Sequence, residues 1–67
     1  MKKVLSIEGM SCMHCVAHVK EALEGIEGVK DVVVSLDENL ATVETEVSDD
    51  VLKNAIEEEG YDVVDIR

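Results

Sequence analysis

The stretch Lys20-Glu21-Ala22-Leu23-Glu24 returns 33 residues later as Lys53-Asn54-Ala55-Ile56-Glu57, and this repeat decides the fold. Each copy is followed by a glycine and then by a valine-rich segment. Around the first copy, Val16, Val19, Leu23 and Ile26 recur at helical spacing, which predicts a helix from about Cys12 to Glu24. Gly25 and Gly28 bracket its end, as helix stop signals do. Around the second copy, Val51, Leu52, Ala55 and Ile56 form the expected buried stripe of a helix running to about Glu59. Ser48 is placed to cap it, and Asp49 and Asp50 in its first turn suit the helix dipole. Gly60 ends it.

Strands account for the rest. Lys3 to Glu8 reads as a strand with Leu5 and Ile7 on one face. Val29 to Leu36 is a second, with Val32, Val34 and Leu36 alternating. Asp37-Glu38-Asn39 is turn chemistry. Leu40 to Val47 is a third strand, with Ala41, Val43, Thr45 and Val47 on one side. So short a connection predicts an antiparallel hairpin. Tyr61 to Ile66 is the last strand. The order is βαββαβ. Two right-handed βαβ units interleave into a four-stranded antiparallel sheet with both helices on one face, an α+β ferredoxin-like sandwich.

Sixty-seven residues make a single domain, 1–67, and a chain this short buries only about 60% of its unfolded surface. Hydrophobic residues are 46% of it, enough for one core, with Tyr61 the only aromatic residue and no proline. The net charge of −10 comes from 16 acidic and 6 basic side chains. That balance argues against nucleic acid and anionic membrane surfaces, which both need clustered Lys and Arg. It favours solubility, or steering toward a basic partner. No apolar run approaches the roughly 20 residues of a membrane span. The start, Met1-Lys2-Lys3-Val4-Leu5, is interrupted too soon by Ser6 and Glu8 for a secretory leader. A cytoplasmic, reducing setting is expected, because neighbouring exposed thiols oxidise elsewhere.

The chemistry concentrates in Gly9-Met10-Ser11-Cys12-Met13-His14-Cys15, where a strand feeds a helix. Cys12 and Cys15 are the only cysteines. A two-residue spacer lets two sulfurs straddle one ion. The helix N-terminus lowers thiol pKa values, so both are expected to be partly ionised at neutral pH. Two soft sulfurs select a soft, low-coordinate ion, Cu(I) first, with Ag(I) similar. Zinc wants four ligands, for which His14, Glu8 or a second chain would be needed. An ion on two exposed thiolates can accept a third from a partner and shed one of its own, so the metal passes on without being free.

With this motif in the first loop of a βαββαβ chain, the sequence resembles the heavy-metal-associated domain family over nearly its whole length. That family includes bacterial copper chaperones and the N-terminal metal-binding domains of copper-transporting P-type ATPases. Ser11 and the pair Met13-His14 resemble the bacterial chaperones; zinc- and cadmium-pump members often carry Asp where Ser11 stands. Mercury-binding members share the motif, so Hg also fits. The resemblance implies a Cu(I) carrier that delivers to a copper-transporting P-type ATPase or its metal-binding domains. It implies that Met10 points inward and braces the loop, and that Tyr61 lies beside the metal and shields it. Met13 is expected to be exposed. His14 is a candidate to tune the thiolates or to supply a third ligand in a copper-bridged dimer of an otherwise monomeric chain. His18 reads as a surface histidine.

The main alternative is an ATPase metal-binding domain. Met1 and a complete last strand favour a free-standing chain; the acidity pulls the other way, because in some family pairs the ATPase domain is the acidic partner. A thiol–disulfide oxidoreductase is disfavoured, since thioredoxin-type folds set a cis-proline against the active site. A plain interaction module with incidental cysteines is the remaining alternative. No paired carboxylates or nucleophile–base arrangement points to an enzyme.

Overall fold

A computed structural model describes all 67 residues. In chain order the elements are β1 (Lys2–Glu8), α1 (Met13–Glu24), β2 (Val29–Ser35), β3 (Leu40–Thr45), α2 (Asp49–Glu57) and β4 (Asp62–Ile66). The strands lie side by side as β2-β3-β1-β4, every pair antiparallel. Each helix therefore joins two strands separated by one strand of the other half, which is the interleaved ferredoxin-like arrangement.

Period-2 alternation sorts the strands into an inner and an outer face. Leu5 pairs with Ala41, and both are fully buried. Ile7, Val43 and Val63 point the same way. Val16, Val19 and Leu23 from α1, and Leu52 and Ile56 from α2, meet them in one cluster with Met10. Both helices thus cover one face of the sheet. On the other face Val33, opposite Thr42, stays exposed.

Several local readings differ from the structure, and one bulge was not foreseen. Val51 is 44% exposed rather than part of the buried stripe. Adjacent helical residues lie about 100° apart, so the turn that buries Leu52 rotates Val51 toward solvent. Ser48 stands at the helix N-cap, yet its hydroxyl makes no capping bond. Instead the Lys3 ammonium donates to the Val47 carbonyl and to the Asp49 carboxylate, each at 2.7 Å, and ties β1 to the start of α2. The second helix ends at Glu57, not Glu59, because the Glu59 and Gly60 N–H groups tighten onto the Ile56 and Glu57 carbonyls, three residues back. In β2, a bulge between Lys30 and Val33 holds Asp31 at φ 55 and resets the alternation, so that Val29 and Val32 both turn inward.

β3 stops at Thr45 rather than at Val47, and Thr45 explains why. It is a polar residue in the core, 3% exposed. Its hydroxyl donates to the Gly28 carbonyl at 2.8 Å and accepts from the Val47 N–H at 3.0 Å. The chain is thereby pulled out of the ladder toward α2. Thr45→Val keeps the shape but strands two backbone groups. We expect a loss of about 1–3 kcal/mol in urea denaturation; an unchanged midpoint would show that the two bonds contribute nothing net.

Candidate metal centre

β1 delivers the chain to Gly9, whose φ of 101 is left-handed and open to glycine at little cost. A Cβ there would lie 3.4 Å from Cδ1 of Tyr61, so the missing side chain also lets the Tyr61 ring close against the loop. Met10 follows, 6% exposed and inside the core cluster, anchoring the loop from beneath. Ser11 and Cys12 are exposed. Cys12 is the N-cap residue of α1, in extended conformation at φ −158 and ψ 173. Its carbonyl accepts the Cys15 N–H at 3.0 Å and the Val16 N–H at 3.2 Å. That first turn folds Cys15 back over Cys12 and leaves their sulfurs 3.7 Å apart, both as free thiols. No acidic residue occupies the first turn of α1, so the positive helix end faces the sulfurs unopposed.

At a metal–thiolate distance of about 2.3 Å, sulfurs this close subtend nearly a tetrahedral angle, whereas a linear bridge needs a separation of about 4.6 Å. The pair as folded therefore offers a bent seat with a side open to another ligand. No third histidine, cysteine or carboxylate joins the two sulfurs in one group, so neither His14 nor Glu8 completes a larger set. Met13 is 66% exposed and His14 is exposed, both in the first turn of α1.

The two cysteines are not equivalent. Cys12 is exposed; Cys15 is half-buried against the core. The Cys15 thiol is pulled down to about 6. The Tyr61 hydroxyl, donating toward the sulfur, is the largest cause, and the Ser11 backbone N–H comes next. Burial opposes them, and the thiol and N–H of Cys12 add smaller help. The same contact pushes the Tyr61 phenol up to about 12, since losing its proton beside a thiolate is unfavourable. So the structure joins Cys12, Cys15, Tyr61 and the Ser11 N–H, sets Met10 beneath them, and leaves Met13 and His14 facing outward. It adds one residue that the sequence reading set aside. Nδ1 of His18 lies 3.5 Å from the Tyr61 hydroxyl. Its place three residues after Cys15, on the same flank of the helix, was the available signal.

The basic side chains are unevenly placed along the sheet. β1 and β2 both run toward the cysteine loop, and the start of β4 pairs there with Glu8. This end therefore gathers Glu8, Asp37, Glu38, Asp62 and the run Glu57-Glu58-Glu59. Lys2, Lys3, Lys30 and Arg67 lie toward the other end, among Glu44, Glu46, Asp49 and Asp65.

The model of the heavy-metal-associated domain matches residues 4–62. The copper chaperone CopZ of Staphylococcus epidermidis is 46% identical over 65 residues, covering 92% of this chain and 96% of that protein. A mercuric reductase of Shewanella putrefaciens is 57% identical over 60 residues, 87% of this chain but only 11% of that enzyme. Among solved structures, the N-terminal domain of a potential copper-translocating P-type ATPase from Bacillus subtilis, in its Cu(I)-loaded state, superposes with a TM-score of 0.85 at 35% identity. That match covers 92% of this chain and 81% of that domain.

Two outcomes follow for the metal-free chain. Alkylation of Cys15 should rise through a midpoint near pH 6, and Tyr61→Phe should move that midpoint up toward the ordinary thiol value of about 8.5. An unmoved midpoint would remove Tyr61 from the site. Because the folded thiol titrates below the unfolded one, the thiolate stabilises the fold fully above the unfolded value and progressively less as pH falls toward 6. The urea midpoint should therefore climb between pH 6 and about 8.5, and Cys15→Ser should flatten that part of the climb.

Proposed function

This chain belongs to the heavy-metal-associated domain family, and on that premise we propose that it is a copper carrier. In this reading residues 1–67 are one domain that holds Cu(I) on the thiolates of Cys12 and Cys15 and yields it to a copper-transporting P-type ATPase. The observation that carries the reading is the pair of free sulfurs 3.7 Å apart at an exposed loop, with no third ligand from the same chain. Two soft donors suit a soft d¹⁰ ion, and thiolates bind it far better than thiols do. The near full-length likeness to a copper chaperone supports copper over its rivals.

The geometry also supplies a route for release. A bent two-sulfur seat leaves the ion open on one side. A cysteine of the acceptor enters there, and the ion becomes three-coordinate. Cys12, the more exposed sulfur, is the first to detach; Cys15, held by Tyr61 and the Ser11 N–H, follows as a stabilised thiolate. The ion is bonded to sulfur throughout. The acceptor is a domain of the same architecture, a choice supported by the likeness to the Bacillus subtilis ATPase domain. The acidic end around the loop fits a basic receiving face, and such attraction raises the encounter rate and fades with salt. No helix is long and apolar enough to cross a membrane. A cytoplasmic location suits free thiols that must stay reduced. With excess copper, a second copy can supply the third thiolate, giving a copper-bridged dimer.

A second reading has an observation of its own. Hg(II) is also soft and thiophilic, and the mercuric reductase segment is the more identical sequence, at 57%. Anaerobic titration separates the two. The reduced chain should take about one Cu(I) per monomer from a chromophoric Cu(I) chelator, and Cys12→Ser or Cys15→Ser should abolish the competition. If the chelator keeps all the copper while the chain still captures Hg(II) stoichiometrically, the copper reading fails and the mercury reading replaces it.

A further inference from the structure

The two strands at the centre of the sheet, β1 and β3, pair from Lys2 with Glu44 to Ser6 with Leu40 without a break. Both strands at its edges are interrupted. Along β2 the pairing steps from Lys30 with Glu44 to Val33 with Thr42, three residues against two. Along β4 it steps from Asp65 with Ser6 to Val63 with Ile7, two residues against one. Each edge strand thus carries one residue more than the strand it pairs with. In β4 the extra residue is Val64, which stands exposed. In β2 the extra step contains Asp31, held at φ 55. An extra residue bends its strand and sharpens the twist, which spoils the straight row of backbone groups that an incoming strand needs.

The need is greater at β2. β4 has only five residues, and two of them, Asp62 and Asp65, are carboxylates. Short, charged edges resist pairing unaided. β2 runs for seven residues and holds Val32, Val33 and Val34 in succession, with Val33 exposed. Branched side chains favour strands, so this edge is the more adhesive one. Without Asp31 its alternation would be regular: Val29, Val32 and Val34 inward, Lys30, Val33 and Ser35 outward. A left-handed φ disfavours any residue with a Cβ, and Asp tolerates it better than a branched residue does. We propose that the free edge of β2 is a pairing surface for a second copy of this chain, and that the extra residue Asp31 holds it shut. A second copy is the occupant because antiparallel pairing of β2 with β2 is self-complementary. A two-fold axis sets each edge against itself and joins the two sheets into one. The proposal concerns the sheet and stands whatever the cysteines carry. For a carrier its consequence is that the chain stays single, with the cysteine loop left as the end a partner meets.

Deleting Asp31 tests this on the reduced, metal-free chain, where no disulfide or metal bridge joins copies. The deletion restores the register of β2 and leaves every other pair of the sheet in place. The unaltered chain should sediment as a monomer, and the deletion variant at about twice that mass. As the variant's concentration rises, hydrogen exchange of the β2 amides should slow by at least about ten-fold, while that of the β4 amides stays unchanged. Asp31→Asn, which removes the charge but tolerates the left-handed φ, should remain monomeric. A deletion variant that folds and stays monomeric overturns the proposal, as does association that leaves β2 unprotected, or an unaltered chain that already pairs through β2. Association of Asp31→Asn would place the guard in the charge rather than in the bulge, and also overturns it. If the deletion variant does not fold, Asp31→Val decides, since its branched side chain opposes φ 55: association through β2 supports the proposal, and a folded monomer overturns it. Loss of folding in both would make the bulge a requirement of the fold and end its role as a guard.

Discussion

The Cys12 carbonyl accepts the Cys15 N–H at 3.0 Å, and the whole centre hangs on that turn. It fixes the separation of the sulfurs, because in a first helical turn the residue three positions on folds back over the N-cap. It also aims them, since both then stand at the positive end of α1. The bond persists only if the loop before it and the helix after it are anchored independently. Met10 anchors the loop in the core, and Val16 and Val19 anchor the helix in the same cluster. Two residues before Cys12 and one after Cys15, the chain is thus clamped to one body. Between the clamps lie the exposed residues Ser11 to His14.

This division suits a carrier. A small domain has little core to spare, and here the core is built almost wholly from the repeated half-units, with Thr45 its one polar member. The repeat supplies the platform, and the site breaks the symmetry at a single loop. Metal-site residues on a rigid helix turn keep their geometry without a bound ion, so little ordering is needed on capture. The open side of the sulfur pair keeps that rigidity from becoming a trap.

Much of this was legible in the sequence, and the reasons are physical. The repeat of Lys20 to Glu24 at Lys53 to Glu57, with alternation in Leu5/Ile7 and Ala41/Val43, specified the topology because burial on one face leaves few other solutions. The inward direction of Met10 was read from family resemblance rather than from pattern, and the side chain is buried in the core cluster. Readings failed where the deciding contact is distant in the chain. The Ser48 hydroxyl makes no capping bond, and the tie that holds the start of α2 to β1 comes from Lys3, 45 positions earlier. The bulge at Asp31 was written as a three-residue step between inward valines, Val29 and Val32, yet only the paired strand reveals it. His18 looked like solvent-facing helix surface because Tyr61, 43 positions later, is what makes that flank an environment.

The acidic end poses a conflict that the local structure resolves. Carboxylates near a thiol disfavour its ionisation, and Glu8, Asp62 and the end of α2 lie at the same end of the sheet as the cysteine loop. Yet Cys15 titrates near 6. Range decides between the two effects. Exposed carboxylates act through water, where charge interactions fade over a Debye length of about 8 Å at physiological salt. The Tyr61 hydroxyl and the Ser11 N–H act at contact and are the leading influences on the sulfur. Short-range donors therefore set the thiolate, and the long-range field is left free to act on whatever approaches from outside. The two can then be tuned separately, because a change of charge on the rim leaves the donors at the sulfur in place. A neutral donor stabilises the thiolate without cancelling the negative field that the rim presents.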